Sequence, residues 1–109
     1  MAGKFVIKTA KDGSPFFVLK AGNGEPILKS EMYSSMDACE NGIESVKKNS
    51  QDEGKFDVLE AKDGSPYFVL KAGNGQVIGN SEMYSSSSAC KNGIESVMKN
   101  AAEADVVTE

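Results

Sequence analysis

Several residue types that carry common protein chemistry are missing from this sequence. Its 109 residues include no histidine and no tryptophan, and all twelve basic residues are lysines. Histidine is the most frequent general acid or base and a frequent zinc ligand, so its absence disfavours catalysis and metal binding. Arginine supplies the planar fork that recognises phosphates and guanine, so its absence, with a net charge of −4, disfavours nucleic acid. We expect no enzyme, no catalytic residue, no cofactor and no metal site.

Long apolar runs are also absent. No run approaches the length of about 18 residues that can cross a bilayer. The first residues, Met-Ala-Gly-Lys-Phe, lack the charged and apolar regions of a signal peptide. We therefore expect a cytoplasmic protein that does not contact a membrane. In a reducing compartment Cys39 and Cys90, the two cysteines of the chain, should be buried thiols rather than a disulfide.

Internal repetition dominates what the sequence does contain. Residues 62–75 repeat residues 11–24 with one difference, and an offset of 51 aligns residues 3–49 with residues 54–100 at 34 identities in 47 positions. One copy holds too few large apolar side chains to offset the entropy lost on folding. The two copies should therefore share one core in a single composite domain over residues 1–109, related by a pseudo-twofold axis, with residues 101–109 as a tail.

Each copy begins with two predicted strands. Side chains of residues 4–10 should alternate between two faces, with Phe5 and Ile7 on one and Val6 and Lys8 on the other, which is typical of a half-buried strand. The following residues Lys11, Asp12 and Gly13 predict a three-residue hairpin loop with the glycine in the left-handed conformation. This loop places Ile7 opposite Phe17 in an antiparallel pair.

A second loop at residues 22–24 predicts a third strand. A three-residue loop sets Leu19 opposite Ile27, whereas a two-residue loop would set it opposite Leu28. We favour Ile27, because Leu28 is replaced by Gly79 in the second copy and a core position tolerates the loss of a side chain poorly.

A short helix follows the third strand of each copy. Ser34 or Ser35 suits the N-cap, and the first helix should end near Asn49, while the second should run from about Ser87 to Asn100. The stripe of apolar or small residues on the first helix consists of Cys39, Gly42, Ile43 and Val46. Glycine is unfavourable inside a helix, so Gly42 and its counterpart predict that a backbone from the sheet or the other helix passes close by. In the tail, residues 105–108 are suited to a further strand or to a frayed end.

The combined strings Phe-Val-Leu-Lys-Ala-Gly-Asn-Gly, Ser-Glu-Met-Tyr and Asn-Gly-Ile-Glu-Ser-Val resemble the YegP-like family of small bacterial proteins. That family is built from units of roughly 50 residues, found singly or in tandem, and the resemblance implies a fold and no activity. The implied fold is α+β: two β3-α-β units form one antiparallel sheet with both helices on one side, and exchange their final strands. Only the second copy has a Val-Val segment after its helix, whereas residues 50–53 are polar, so a symmetric exchange is not expected.

The predicted register leaves a row of apolar and basic side chains on the sheet face away from the helices. In the first copy these are Val6, Lys8, Phe16, Val18, Lys20 and Leu28, and in the second they are Leu59, Tyr67, Val69, Lys71 and Val77. The exchange of Phe16 for Tyr67 indicates a ring whose tip reaches water. The candidate binding residues are Phe16, Val18, Lys20, Tyr67, Val69 and Lys71.

This face supports more than one hypothesis. The leading one is a module that binds a protein or peptide through the exposed apolar surface. The alternative is single-stranded nucleic acid, stacked on the rings beside the lysines. A third is a small molecule or anion at the serine-rich helix N-termini. The alternative without a binding function is that sheet curvature or a dimer interface hides the face. We expect the chain to be a monomer or a weak dimer.

Overall fold

Each copy forms three short strands and one helix, and a seventh strand follows the second helix. The computed structural model describes residues 3–109, so Met1 and Ala2, the first residues of the predicted domain, lie outside it. In chain order the elements are β1 (Lys4–Thr9), β2 (Pro15–Lys20), β3 (Pro26–Lys29), α1 (Met36–Asn49), a 3₁₀ turn (Glu53–Lys55), β4 (Phe56–Glu60), β5 (Pro66–Lys71), β6 (Val77–Asn80), α2 (Ser87–Ala101) and β7 (Asp105–Thr108).

All seven strands belong to one sheet, in the order β4-β5-β6-β3-β2-β1-β7. The two copies meet where β3 pairs with β6, and there Lys29 lies opposite Asn80, its equivalent in the second copy. Two equivalent residues facing each other across an antiparallel pair place a pseudo-twofold axis between them. The predicted α+β architecture is confirmed, with β1 and β7 as the single parallel pair among the described strands.

The glycine loops fix the hairpins as predicted. The Ala10 N–H donates to Ser14 O at 2.8 Å, and Gly13 has φ +90°, a conformation that favours glycine because it has no Cβ. This loop sets Ile7 opposite Phe17. The second loop has the same geometry, with Gly24 at φ +88°. Both three-residue loops are therefore confirmed.

The predicted register beyond the second loop is wrong. Lys20 pairs with Pro26, but the next pair joins Leu19 to Leu28, so Ile27 is the extra residue of a β-bulge. Leu28, predicted to face away from the helices, instead belongs to the core between sheet and helices. The same bulge recurs in the second copy, where Leu70 pairs with Gly79.

Both helices begin at serine caps. Ser35 Oγ accepts a hydrogen bond from the Ala38 N–H, and Ser86 Oγ accepts one from the Ala89 N–H, each at 3.1 Å. A capping serine satisfies a backbone donor that has no partner within the helix. Each helix packs on strands of both copies, so the two repeats share one core as the duplication predicted.

Gly42 is required for a reason different from the expected one. The ring of Tyr33 stacks on Phe17 with centroids 6.1 Å apart, and its phenol lies against Gly42. A Cβ at Gly42 would overlap the hydroxyl and lie 2.7 Å from Tyr33 Cζ. The predicted close approach of a backbone is wrong, because the neighbour is a tyrosine side chain. Gly93 and Tyr84 repeat the arrangement.

The cysteines lie on the buried face of the helices. Cys39 and Cys90 are free thiols with exposures of 0% and 1%. Burial raises the pKa of both thiols, and for Cys39 the nearby Glu40 carboxylate raises it further. These thiols are therefore apolar packing groups.

The segments after the two helices differ. After α2 the chain forms β7, which runs parallel to β1 with Val106 opposite Phe5. After α1 it enters the 3₁₀ turn Glu53–Lys55 and continues directly into β4. The strand exchange implied for a symmetric pair is therefore made by the second copy alone.

Candidate functional site

A groove of about 450 Å³ lies on the sheet face opposite the helices, and we call it the outer groove. Its lining includes Lys8, Phe16, Val18, Lys20, Pro26 and Lys29 from the first copy and Asn80, Ser81 and Glu82 from the second. The groove thus spans the junction between the two repeats. The pairing of β3 with β6 brings its two sides together.

Phe16 is the half-buried aromatic ring of the outer groove. The Lys29 ammonium lies 5.4 Å from the centre of this ring, within the range of a cation–π interaction. Lys8 Nζ lies 3.6 Å from a carboxylate oxygen of Glu109, the last residue of the chain. The described residues give neither Lys20 nor Lys29 an ion pair, so the groove keeps free positive charge beside its apolar ring.

The predicted binding residues separate into two groups. The aromatic and basic members Phe16, Lys20, Tyr67 and Lys71 are half-buried, so part of each side chain reaches solvent. Val18 and Val69 lie within the sheet between cross-strand neighbours, with exposures of 8% and 6%. The valines therefore present little surface to a ligand.

The two copies do not repeat the outer groove. The positions of Lys8 and Lys29 are occupied in the second copy by Leu59 and Asn80. Lys71 Nζ lies 2.7 Å from Asp57 Oδ2, so this lysine is already paired. The structure brings Phe16 and Lys20 together in the groove and places Tyr67 and Lys71 outside its lining.

Two charged residues that line the outer groove, Lys29 and Glu82, were not predicted from the sequence. Lys29 faces Phe16 only because the bulge at Ile27 shifts the register of β3 by one residue. Glu82 follows β6 and reaches the groove through the contact between the two copies. Pro26 is compatible with a bulge at the start of β3, but the same bulge forms in the second copy with Val77 in its place, so neither copy carries a specific signal for it.

The tyrosines after the third strands, Tyr33 and Tyr84, each pack against a phenylalanine and a helix glycine of their own copy. Burial raises the pKa of the Tyr33 and Tyr84 phenols, with further contributions from the neighbouring cysteine and from Glu31 or Glu82. The helix N-termini predicted as anion sites are capped by their own serines. Within residues 3–109 no three histidine, cysteine, aspartate or glutamate side chains are grouped to hold a metal.

The loop aspartates are likewise structural. Asp12 Oδ1 accepts a hydrogen bond from the Ser14 N–H at 2.9 Å, and this bond lowers the pKa of the carboxyl group. Asp63 and Ser65 repeat it at the same distance. Each is an Asx-type bond that supports the loop.

None of the described helices is long and apolar enough to cross a membrane.

Fold and groove together define a tandem-repeat α+β protein whose two copies share one sheet. The domain of unknown function DUF1508 matches residues 10–57 and again residues 61–107. The chain belongs to this family, known also as UPF0339, and the resemblance to YegP-like proteins is confirmed.

Individual relatives agree with this assignment. The UPF0339 protein YegP of Yersinia pestis is 57% identical over 98 residues, which are 90% of this chain and 88% of the relative. The solution NMR structure of yegP from E. coli, a protein of unknown function, is 44% identical with a TM-score of 0.94, covering 100% of this chain and 94% of that one. The solution NMR structure of the UPF0339 protein SO3888 from Shewanella oneidensis is 46% identical with a TM-score of 0.93, covering 99% and 92%.

Proposed function

We propose that this protein is a binding module rather than an enzyme, and that its outer groove holds a peptide segment with acidic and apolar side chains. The observation that carries the proposal is the half-buried ring of Phe16 beside the unpaired ammonium groups of Lys20 and Lys29. An apolar side chain of the peptide packs on the groove, and a neighbouring carboxylate contacts a lysine.

Charge and ring geometry favour a peptide over single-stranded nucleic acid. A base would stack on a free ring face, but Lys29 already lies over Phe16. The second copy offers Tyr67 with Leu59 and Asn80 in place of two groove lysines, so a continuous basic track for a phosphate backbone is missing.

The experiment is a selection from a random peptide library displayed on phage, followed by titration of the enriched peptides. The expected peptides combine Asp or Glu with Leu or Phe, and their affinity falls as salt rises. Phe16→Lys and Lys29→Glu should each weaken binding at least about tenfold. Tyr67→Lys, the matched change in the second copy, should leave it within about twofold.

Two results would count against the proposal. If Phe16→Lys binds the selected peptides as well as wild type does, the groove is not the site. If short oligonucleotides displace the peptides at low salt and bind more tightly than they do, nucleic acid is the better ligand class.

A further inference from the structure

The two edges of the sheet are covered unequally. β7 pairs with β1, but the equivalent strand β4 pairs only with β5 and ends the sheet. The consequence is visible in equivalent residues: Ile7 beside β7 is 2% exposed, whereas Val58 in β4 is 56% exposed. β4 thus keeps an open edge, whereas the equivalent edge of β1 is filled by β7.

The helix next to that edge shows the same difference. Ile43 of α1 lies near Val106 of β7 and is 1% exposed, whereas its equivalent Ile94 in α2 is 7% exposed. Phe5 under β7 is fully buried, whereas Phe56 in β4 is 8% exposed. A strand added to β4 would therefore complete both the hydrogen-bond ladder and the packing of α2.

β7 shows how an added strand is selected in this fold. It runs parallel to β1, and its side chains match the outer face of β1 position by position. Val107 lies opposite Val6, and Glu109 forms an ion pair with Lys8 at 3.6 Å. The Glu109 N–H donates to Ile7 O at 2.9 Å, so the backbone groups of Ile7 face β7. The equivalent residue in β4 is Val58, and its backbone N–H and C=O therefore face the open edge.

We propose that β4 accepts an extended segment of a partner protein as a parallel strand, in the place that β7 occupies on β1. Addition of a strand to an exposed sheet edge is a common mode of peptide recognition. The edge specifies its occupant: an apolar residue next to Phe56, a basic one next to Asp57, whose carboxylate also contacts Lys71, and apolar ones next to Val58 and Leu59. The segment therefore has the pattern apolar, basic, apolar, apolar.

A second copy of this chain is a poorer match. Its own tail would set Val107 next to Asp57 and Glu109 next to Leu59, and removing β7 from β1 would expose the core at Ile7. Antiparallel pairing of two β4 strands centred on Val58 would set each Asp57 opposite Leu59. Both arrangements therefore place a carboxylate next to an apolar side chain.

The test uses the full chain labelled with ¹⁵N and two synthetic peptides, Gly-Val-Lys-Val-Leu-Gly and the tail-like Gly-Val-Val-Thr-Glu-Gly. The first peptide should shift the resonances of residues 56–60 and Ile94, and should bind at least about tenfold more tightly than the second. A spin label at the peptide N-terminus should broaden Phe56 more than Glu60, as parallel pairing requires.

Two variants sharpen the test. Val58→Pro removes an N–H that faces the open edge and leaves the ladder to β5 intact, so the fold should persist while the affinity falls about tenfold or more. Asp57→Lys should reverse the preference, so that Gly-Val-Glu-Val-Leu-Gly binds better than the lysine peptide. Glu103→Lys, an equal charge change at an exposed position away from β4, should preserve the original preference.

Several results would overturn the proposal. One is that no resonance of the protein shifts at millimolar peptide, and another is that resonances of the outer groove shift instead of those of β4. A third is spin-label broadening of Glu60 beyond that of Phe56, which would indicate antiparallel pairing. A concentration-dependent dimer in sedimentation that is lost in Val58→Pro would assign the edge to a second copy instead. The lining of the outer groove contains no residue of β4, so these results leave the peptide selection at Phe16 to be judged separately.

Discussion

Leu28 and Gly79 occupy equivalent positions in the two copies, and the Leu28 side chain fills the space that a side chain at Gly79 would need. A Cβ at Gly79 would lie 2.8 Å from both Leu28 Cγ and Leu28 Cδ2. Both residues lie beside the pseudo-twofold axis, where β3 pairs with β6. At such a position one large and one small residue pack together, whereas two leucines would collide. The two copies are therefore complementary there rather than identical.

Substitution at Gly79 tests this complementarity. Gly79→Leu should overfill the core and lower the free energy of unfolding by about 1 to 3 kcal/mol or more. Leu28→Ala should lower it by about 2 to 5 kcal/mol, because it leaves a cavity. The exchange Leu28→Gly with Gly79→Leu should recover most of the loss, as measured by urea unfolding. A double variant as unstable as the sum of Leu28→Gly and Gly79→Leu, each measured alone, would contradict the packing described.

A methyl group at Gly42 tests the contact with Tyr33. Alanine is about 1 kcal/mol more favourable than glycine inside a helix, yet Gly42→Ala should destabilise the protein because its Cβ would overlap the phenol. Tyr33→Phe in the same chain removes the hydroxyl and should recover part of the stability. Gly93→Ala with Tyr84→Phe provides the matched pair in the second copy. If Gly42→Ala alone raises the thermal midpoint, the contact is not as close as described.

Removal of β7 should expose the core at β1. A chain ending at Ala104 loses Val106 and Val107, which are 45% and 44% exposed, and uncovers the buried Ile7. This should cost about 2 to 4 kcal/mol of stability, since full burial of one large apolar side chain contributes about 1.5 to 3 kcal/mol and the two valines contribute less. Removing Glu109 alone breaks the exposed ion pair with Lys8 and the hydrogen bond from the Glu109 N–H to Ile7 O, and should cost about 1 kcal/mol. Chemical denaturation of both truncated chains measures the difference. Equal losses would mean that the strand itself contributes little.

The buried thiols predict a loss of stability in alkali. Burial raises the pKa of Cys39 and Cys90 in the folded chain, so the folded state keeps protons that the unfolded chain releases above about pH 8.5. The free energy of unfolding should therefore fall as pH rises above that value. Urea midpoints at neutral pH and near pH 9.5 measure the fall, and the double change Cys39→Ala with Cys90→Ala should reduce it. An equal fall in the variant would assign the effect to other groups.

Local sequence signals predicted the parts of this fold that depend on neighbouring residues. Gly13 and Gly24 adopt the left-handed conformation that their hairpin loops required, and Ser35 and Ser86 cap the helices. These features arise within a few residues, so short motifs are sufficient to predict them. Alternation of side chains also predicted correctly that Phe16 and Tyr67 face away from the core.

The candidate sites depended less on local signals. Lys29 joins Phe16 only through a bulge, and Glu82 reaches the groove only because the two copies meet at β3 and β6. The polar residues 50–53 after α1 indicated that the first copy has no final strand, and the edge of β4 is therefore open. The family resemblance implied that β7 would pair with a strand of the first copy, but no spacing in the sequence indicated it.

By itself, the sequence determined a duplicated unit of three strands and a helix, because turn glycines, capping serines and alternating apolar residues act over short distances. The tertiary structure alone decided that Leu28 belongs in the core and that Gly79 makes room for it. It also decided that β7 covers β1 while β4 stays open. These outcomes depend on how two nearly identical units share one axis: residues near it contact their own equivalents, and a single tail can complete only one of the two edges.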